Sequence, residues 1–212
     1  MRKFLFAALT VLLGLALYAP PALAGSGSVP PQSHAFGNSR VDWMKAYTQW
    51  TFGDASNPIT QPECGTIIDG AYFMNTPVAA STEYECDIPT GVPIVFVHAA
   101  YFAWVPTDGA NAEQIEATAE TLFAYGQSTV TLDGKRVPLT TTATGAFDVD
   151  SEPGSAYDTI FGLGTGSVLT AVVGQITILH PLPPGKHTIF AFVDFTPAGG
   201  PQFDVTYHLQ VG

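Results

Sequence analysis

Charge is scarce in this sequence, and positive charge scarcest of all. Charged residues fill 12% of the 212 positions, about half the usual share, with seven Lys and Arg against eighteen Asp and Glu. The resulting net charge of −11 repels nucleic acid and anionic lipid surfaces. Neutral sugars, cationic ligands and divalent cations remain compatible with it. Cysteine is nearly absent too, with only Cys64 and Cys86, and they are too far apart for the C-x-x-C spacing of a redox pair. After the first seventeen residues no apolar run approaches the about 20 residues a membrane-spanning helix needs.

Reaction motifs are missing as well. No G-x-S-x-G nucleophile elbow occurs, and His34, His98, His180, His187 and His208 show no H-x-H, H-E-x-x-H or His/Cys spacing suited to zinc. The run Gly162-Leu163-Gly164-Thr165-Gly166 lacks the Lys and helix of a phosphate loop.

What is present begins with a leader pattern. Arg2 and Lys3 precede an apolar run from Phe4 to Leu17, Pro20 and Pro21 stop any helix, and Ala22-Leu23-Ala24 supplies a small-x-small cleavage site. Residues 1–24 are therefore expected to be a secretory signal peptide, placing the protein outside the cytoplasm. Loss of Arg2 and Lys3 would leave the chain still more acidic. In an oxidising compartment Cys64 and Cys86 are expected to pair as one disulfide.

Residues 25–38, rich in Gly, Ser and Pro, read as a flexible lead-in. The remainder, 39–212, suits a single domain. Trp43, Tyr47 and Trp50 recur at spacings of four and three, which predicts a short helix with three rings on one side, ended by Gly53 and Asn57-Pro58. A second helix is predicted over 112–124, with Asn111 and Gln114 resembling a capping box, Gly126 closing it, Ile115, Ala119 and Leu122 as its apolar side and its glutamates in solvent.

Elsewhere the pattern is β. The run Ile94 to Val97 has no polar alternation and predicts a central strand buried on both faces, with His98 at its end. Asp133-Gly134 marks a hairpin. Segments 168–173 and 175–179 read as strands, and Phe203, Val205, Tyr207, Leu209 and Val211 alternate with polar residues as one face of a final strand. Many short strands with one or two helices predict an all-β, antiparallel sandwich of the Greek-key or jelly-roll kind.

Three segments then carry a resemblance: Cys64-Gly65 leading to Tyr72-Phe73, Cys86-Asp87-Ile88-Pro89-Thr90-Gly91 ahead of Ile94–Val97, and Leu182-Pro183-Pro184-Gly185-Lys186-His187-Thr188-Ile189 before two closing strands. With the Trp43/Trp50 helix upstream, the chain resembles a family of exported bacterial β-sandwich proteins without an assigned activity. The resemblance supports the fold and transfers no catalytic residue.

The aromatic set is the main functional signal. Tyr101 and Trp104, after the central strand, and Trp43 and Trp50 on the first helix are candidate stacking surfaces, as sugars bind through exposed rings. The competing expectation makes the helix rings core. Asp148, Asp150 and Glu152 alternate in a turn-rich stretch and are a candidate calcium loop, although Pro153 and Thr159 stand where an EF-hand has Gly and Glu. His98 is a candidate base. The expected function is a non-enzymatic ligand-binding or surface-interaction module, with a glycan as leading partner. A hydrolase with a dispersed site around His98, and a structural protein of the cell surface, are the alternatives.

Overall fold

The computed structural model describes residues 27–30, 34–56, 59, 63–76 and 81–212. The signal peptide expected over 1–24 and the Asn57-Pro58 stop lie outside those residues. Ten strands form two five-stranded sheets that pack face to face, an all-β sandwich. One sheet runs β1 (Gly65–Ile68), β2 (Ala71–Met74), β4 (Ile94–Trp104), β8 (Gly166–Leu179) and β7 (Thr141–Ser151). The other runs β3 (Thr82–Ile88), β10 (Gln202–Val211), β9 (Gly185–Asp194), β5 (Gln127–Leu132) and β6 (Lys135–Arg136). Pairing is antiparallel except for β2 with β4 and β3 with β10. Those parallel contacts arise because both partners of each pair enter their sheet from the same end.

The inner faces supply the core. Ile94 and Phe96 of β4 meet Val130, Ile189, Val205 and Tyr207 of the opposite sheet, all almost fully buried. The alternation expected for β10 holds, with Phe203, Val205, Tyr207, Leu209 and Val211 buried. Cys64 and Cys86 form the expected disulfide, their Cα atoms 5.5 Å apart. Since Cys64 leads into β1 and Cys86 lies in β3, the bond ties one sheet to the other.

Among the described residues there are three α-helices where the sequence predicts one or two. α1 (Arg40–Thr48) lies on the outer face of the first sheet, opened by a capping box between Ser39 and Asp42. It continues into a π-helical turn, Gln49–Gly53. Trp43, Tyr47 and Trp50 pack on Phe73, with Val95, Val97 and Ile178 in the same cluster. Arg40 is buried and donates to the Ile176 and Val29 carbonyls at 2.7 and 2.6 Å, fastening the segment at Val29 and α1 to β8. α2 (Ala112–Phe123) begins as predicted, with Asn111 accepting from the Gln114 amide at 3.1 Å. Its Ile115, Ala119 and Phe123 fill one end of the sandwich against Ala99, Ala103, Phe195 and Phe203. Not all its acids are solvated, because Glu116 accepts from the Ala146 amide at 2.7 Å, beside a register shift in β7. α3 (Ala156–Thr159) is a single turn beyond β7.

Two strand boundaries differ from expectation. β4 does not stop at His98 but runs on to Trp104. Segments 168–173 and 175–179 are one strand, β8, with Gly174 inside it. A Cβ there would clash with the Cβ of Ala100, so the glycine serves close strand approach rather than a turn. Asp133-Gly134 does make the expected hairpin, both residues having positive φ (49° and 74°).

Candidate functional site

β4 follows a strict in-out alternation up to Val97 and loses it there. The pairing with β8 shifts between Val97 and Ala99, so His98 is the extra residue of a β-bulge. Phe96 faces the intersheet core and Val97 faces α1. After the bulge Ala99 and Ala103 face α2, while Ala100 and Phe102 pack on the α1 side. On the other edge of β4, β2 pairs only with Ile94 and Val95. Beyond Val95 no described strand pairs with that edge.

Along this edge lies a cavity of about 380 Å³, in the size range of small-ligand sites, 300–1,000 Å³. Its floor is Val97 to Phe102 of β4. Tyr47, Thr51 and Phe52, from α1 and the π-helical turn, line one side with Thr76. Leu122 of α2 and the turn from Phe195 to Phe203 between β9 and β10 line the other. Every lining side chain is uncharged. Apolar and aromatic groups dominate, and the polar groups are few: Tyr47, Thr51, Thr76, His98 and Tyr101.

Most of those polar groups are engaged. The Tyr47 hydroxyl lies 3.2 Å from the Met74 carbonyl and 2.9 Å from Thr76 Oγ1, and Thr76 donates to the Val97 carbonyl at 2.5 Å. Burial holds the Tyr47 hydroxyl at about 12, so it stays protonated. Tyr101 reaches toward Asp108, at 3.5 Å.

Two are not. His98 is 1% exposed, and its Nε2 lies 3.2 Å from Gln175 Oε1, which also accepts from the Ser128 hydroxyl of the opposite sheet. A carbonyl oxygen only accepts, so this network assigns the proton to Nε2 and leaves Nδ1 as a bare lone pair. Among the described residues Nδ1 has no partner. Burial, opposed only by the Gln175 hydrogen bond, lowers the His98 pKa to about 4, so the ring is neutral at pH 7. Thr51 Oγ1, beside the Tyr47 hydroxyl, also lacks a hydrogen bond of acceptable geometry. Buried polar atoms without partners are rare in folded proteins. Here two of them belong to residues that line one cavity, one in a β-bulge and the other in a π-helical turn, irregularities that concentrate at functional sites, although neither atom has surface of its own open to solvent.

The residues named by the sequence fall out unevenly. Tyr101 and His98 line the cavity. Trp43 and Trp50 do not offer stacking surfaces. They are 0% and 4% exposed, packed as core because a short helix is held by its apolar face, and the Trp43 indole donates to the Ala35 carbonyl at 3.0 Å. Trp104 sits outside the cavity, half-buried in a cluster with Phe52, Tyr157 and Phe161, its indole donating to Thr107 at 3.1 Å.

The calcium loop is corrected too. Asp148 and Asp150 lie within β7, not in a loop. Asp148 accepts from Ser167 at 2.6 Å and Glu152 from the Ala55 amide at 3.1 Å. Among the described residues no three acidic, His or Cys groups converge as a metal site.

Nor does His98 have the surroundings of a catalytic base. Its one hydrogen-bonding neighbour is an amide rather than a carboxylate, and a base of pKa about 4 is poorly matched to neutral pH. Sequence reasoning missed Thr51, Phe52, Thr76, Gln175 and the Phe195–Phe203 turn. Only the unusual run of β4 past a polar residue, His98 between Val97 and Ala99, could have signalled the site.

The fold and cavity together define an all-β sandwich with a small-molecule-sized pocket at a strand edge. No protein-family model matches the chain, and no curated protein matches it. Among solved structures, one described as PbICP-C in complex with falcipain-2 aligns at 10% identity and a TM-score of 0.25, covering 71% of this chain and 97% of that one. The solution structure of Amebosin aligns at 14% identity and a TM-score of 0.19, covering 62% of this chain and 97% of that one. Neither likeness carries an argument about function.

Proposed function

We propose that this is an exported binding module that takes a small molecule into the cavity along β4. The observation that carries this reading is a partly open, mostly apolar space of small-ligand size along the uncovered edge of β4, with few polar groups and no charged side chain in its lining. The disulfide and the absence of a described helix able to cross a membrane fit an extracytoplasmic setting. A glycan, the ligand expected from the sequence, would need exposed ring faces. Of the four candidate rings only Tyr101 borders the cavity, which favours a more apolar ligand.

The test is titration with phenylnaphthylamine, a neutral dye that brightens in apolar surroundings, alongside a glycan panel read by tryptophan fluorescence. Saturable single-site binding that Leu122→Trp abolishes is the expected result, because Leu122 is a half-buried wall residue whose enlargement fills the space without touching the core. Saturable binding of a glycan but not of the dye would return the assignment to carbohydrate.

A further inference from the structure

The floor of the cavity is a strand edge with its backbone partly unpaired. Val105 donates to the Leu169 carbonyl at 3.0 Å, which makes Ala103 and Tyr101 the next hydrogen-bonded positions along β8, opposite Ala171 and Val173. Ala100 and Phe102 alternate with them and turn their N–H and C=O groups the other way, to the edge that borders the cavity. On that side neither has a hydrogen-bond partner among the described residues, and both are partly exposed.

The protein closes the same edge on either side of them. Thr76 Oγ1 donates to the Val97 carbonyl. At the other end Asp108 closes Trp104 twice, its carboxylate accepting from the Trp104 amide at 3.1 Å and its own amide donating to the Trp104 carbonyl at 2.9 Å. Side chains also meet the far edge of this sheet, where Gln49 bonds both main-chain groups of Asp150, at 2.8 and 3.0 Å, and Glu116 takes the Ala146 amide. Open strand edges invite pairing with another chain, and proteins usually cover them. On β4 the opening is confined to two residues of the cavity floor.

We propose that this opening takes an extended peptide with apolar, uncharged side chains, which adds to β4 as a short strand in line with β2. The inference rests on the cavity being a ligand site and names the ligand's class. Pairing across Ala100 to Phe102 engages about three residues of the peptide. Side chains of a strand alternate between its faces, so one set meets Tyr47 and Phe52 and the other Leu122, Phe195 and Phe203. None of these walls is charged, and an ionised side chain would lose its water without gaining a counter-charge. Main-chain hydrogen bonds supply the affinity, and the two walls the selection.

The experiment uses wild-type protein and three probes: acetyl-Leu-Ala-Leu-amide, its analogue with ester oxygen in place of the N–H of all three residues, and acetyl-Asp-Ala-Asp-amide. Binding is read by calorimetry, and pairing by hydrogen exchange of single amides followed by NMR. In the free protein Ala100 and Phe102 should exchange faster than Tyr101 and Ala103, and saturating leucine peptide should slow them by about tenfold or more. The ester analogue should bind about tenfold more weakly or worse, as the loss of main-chain donors implies. The aspartate peptide should not bind. Equal binding of peptide and ester analogue, or binding that leaves Ala100 and Phe102 exchange unchanged, overturns strand pairing and leaves the cavity reading standing. Failure of the peptide where phenylnaphthylamine binds does the same. Slow exchange of Ala100 and Phe102 in the free protein means that the edge is already covered and overturns the proposal, with a second copy as the cover if dilution restores fast exchange. Binding of the aspartate peptide as tightly as the leucine one overturns the apolar selection. If neither peptide nor dye binds, the cavity reading itself falls.

Discussion

Nε2 of His98 lies 3.2 Å from Oε1 of Gln175, across the point where β4 and β8 fall out of register. Ser128 on the opposite sheet bonds the same oxygen, so one amide joins the bulge to both layers of the sandwich.

Replacing Gln175 with Leu should therefore cost more than the loss of one hydrogen bond. It strands a buried ring N–H and a hydroxyl together, and we expect destabilisation of about 1–3 kcal/mol. Urea unfolding of Gln175→Leu against wild type measures this, and a change under about 0.5 kcal/mol would show that the amide holds nothing.

Acid should destabilise the protein through His98. Its pKa in the fold is about 4, against 6.5 for the free side chain. The unfolded chain thus takes up a proton that the folded one refuses. Stability is full above about pH 6.5 and falls as the pH drops towards 4, by up to about 3 kcal/mol at about 1.4 kcal/mol per pH unit. Unfolding free energies across that window should show the slope in wild type, and His98→Phe should flatten it.

Reduction of the disulfide should loosen the pairing of the two sheets. Cys64 and Cys86 are 22 residues apart, and in the chain-entropy model a loop of that length contributes about 3 kcal/mol. Thermal melts of Cys64→Ala/Cys86→Ala should show a Tm lowered by several degrees with the same β signature in circular dichroism.

Gly174→Ala should be among the worst small substitutions in the chain. The added methyl meets the Ala100 Cβ and crowds the Ala99 carbonyl at 2.8 Å, so β8 and β4 must separate beside the cavity. Overpacking of this kind costs about 1–3 kcal/mol. We expect weaker phenylnaphthylamine binding as well as lower stability, whereas Trp104→Ala, outside the cavity, should leave the dye affinity unchanged.

Added calcium should leave the melting temperature where it is. Asp148 and Glu152 already serve the protein's own donors and do not converge on a common point. A Tm rise of several degrees in millimolar calcium would contradict this.

Much of the fold was legible because it depends on local chemistry. Asn111 and Gln114 mark the start of α2, Asp133-Gly134 the hairpin, and the alternation from Phe203 to Val211 the last strand, each a rule of spacing or turn geometry. The cysteine pair was readable from number and setting. The cavity was not, because its walls come from α1, the π-helical turn, β4, α2 and the β9–β10 turn, which no local pattern relates. Gly174 and His98 both misled for one reason: a glycine and a histidine inside apolar runs look like endings, and only the neighbouring strand decides otherwise.

By itself, then, the sequence determined a β-rich, acidic chain with an export leader pattern and one available disulfide, since composition and periodicity act through burial and turn chemistry that every residue meets locally. The tertiary structure alone decided which rings are core and which border the cavity. Trp43 and Trp50 are consumed in holding α1 to its sheet, while Tyr101 and Phe102 border a space opened where β2 ends too soon to cover β4. It also decided that His98 is neutral and short of one hydrogen bond, because burial and Gln175 come from parts of the chain that meet only when the two sheets close.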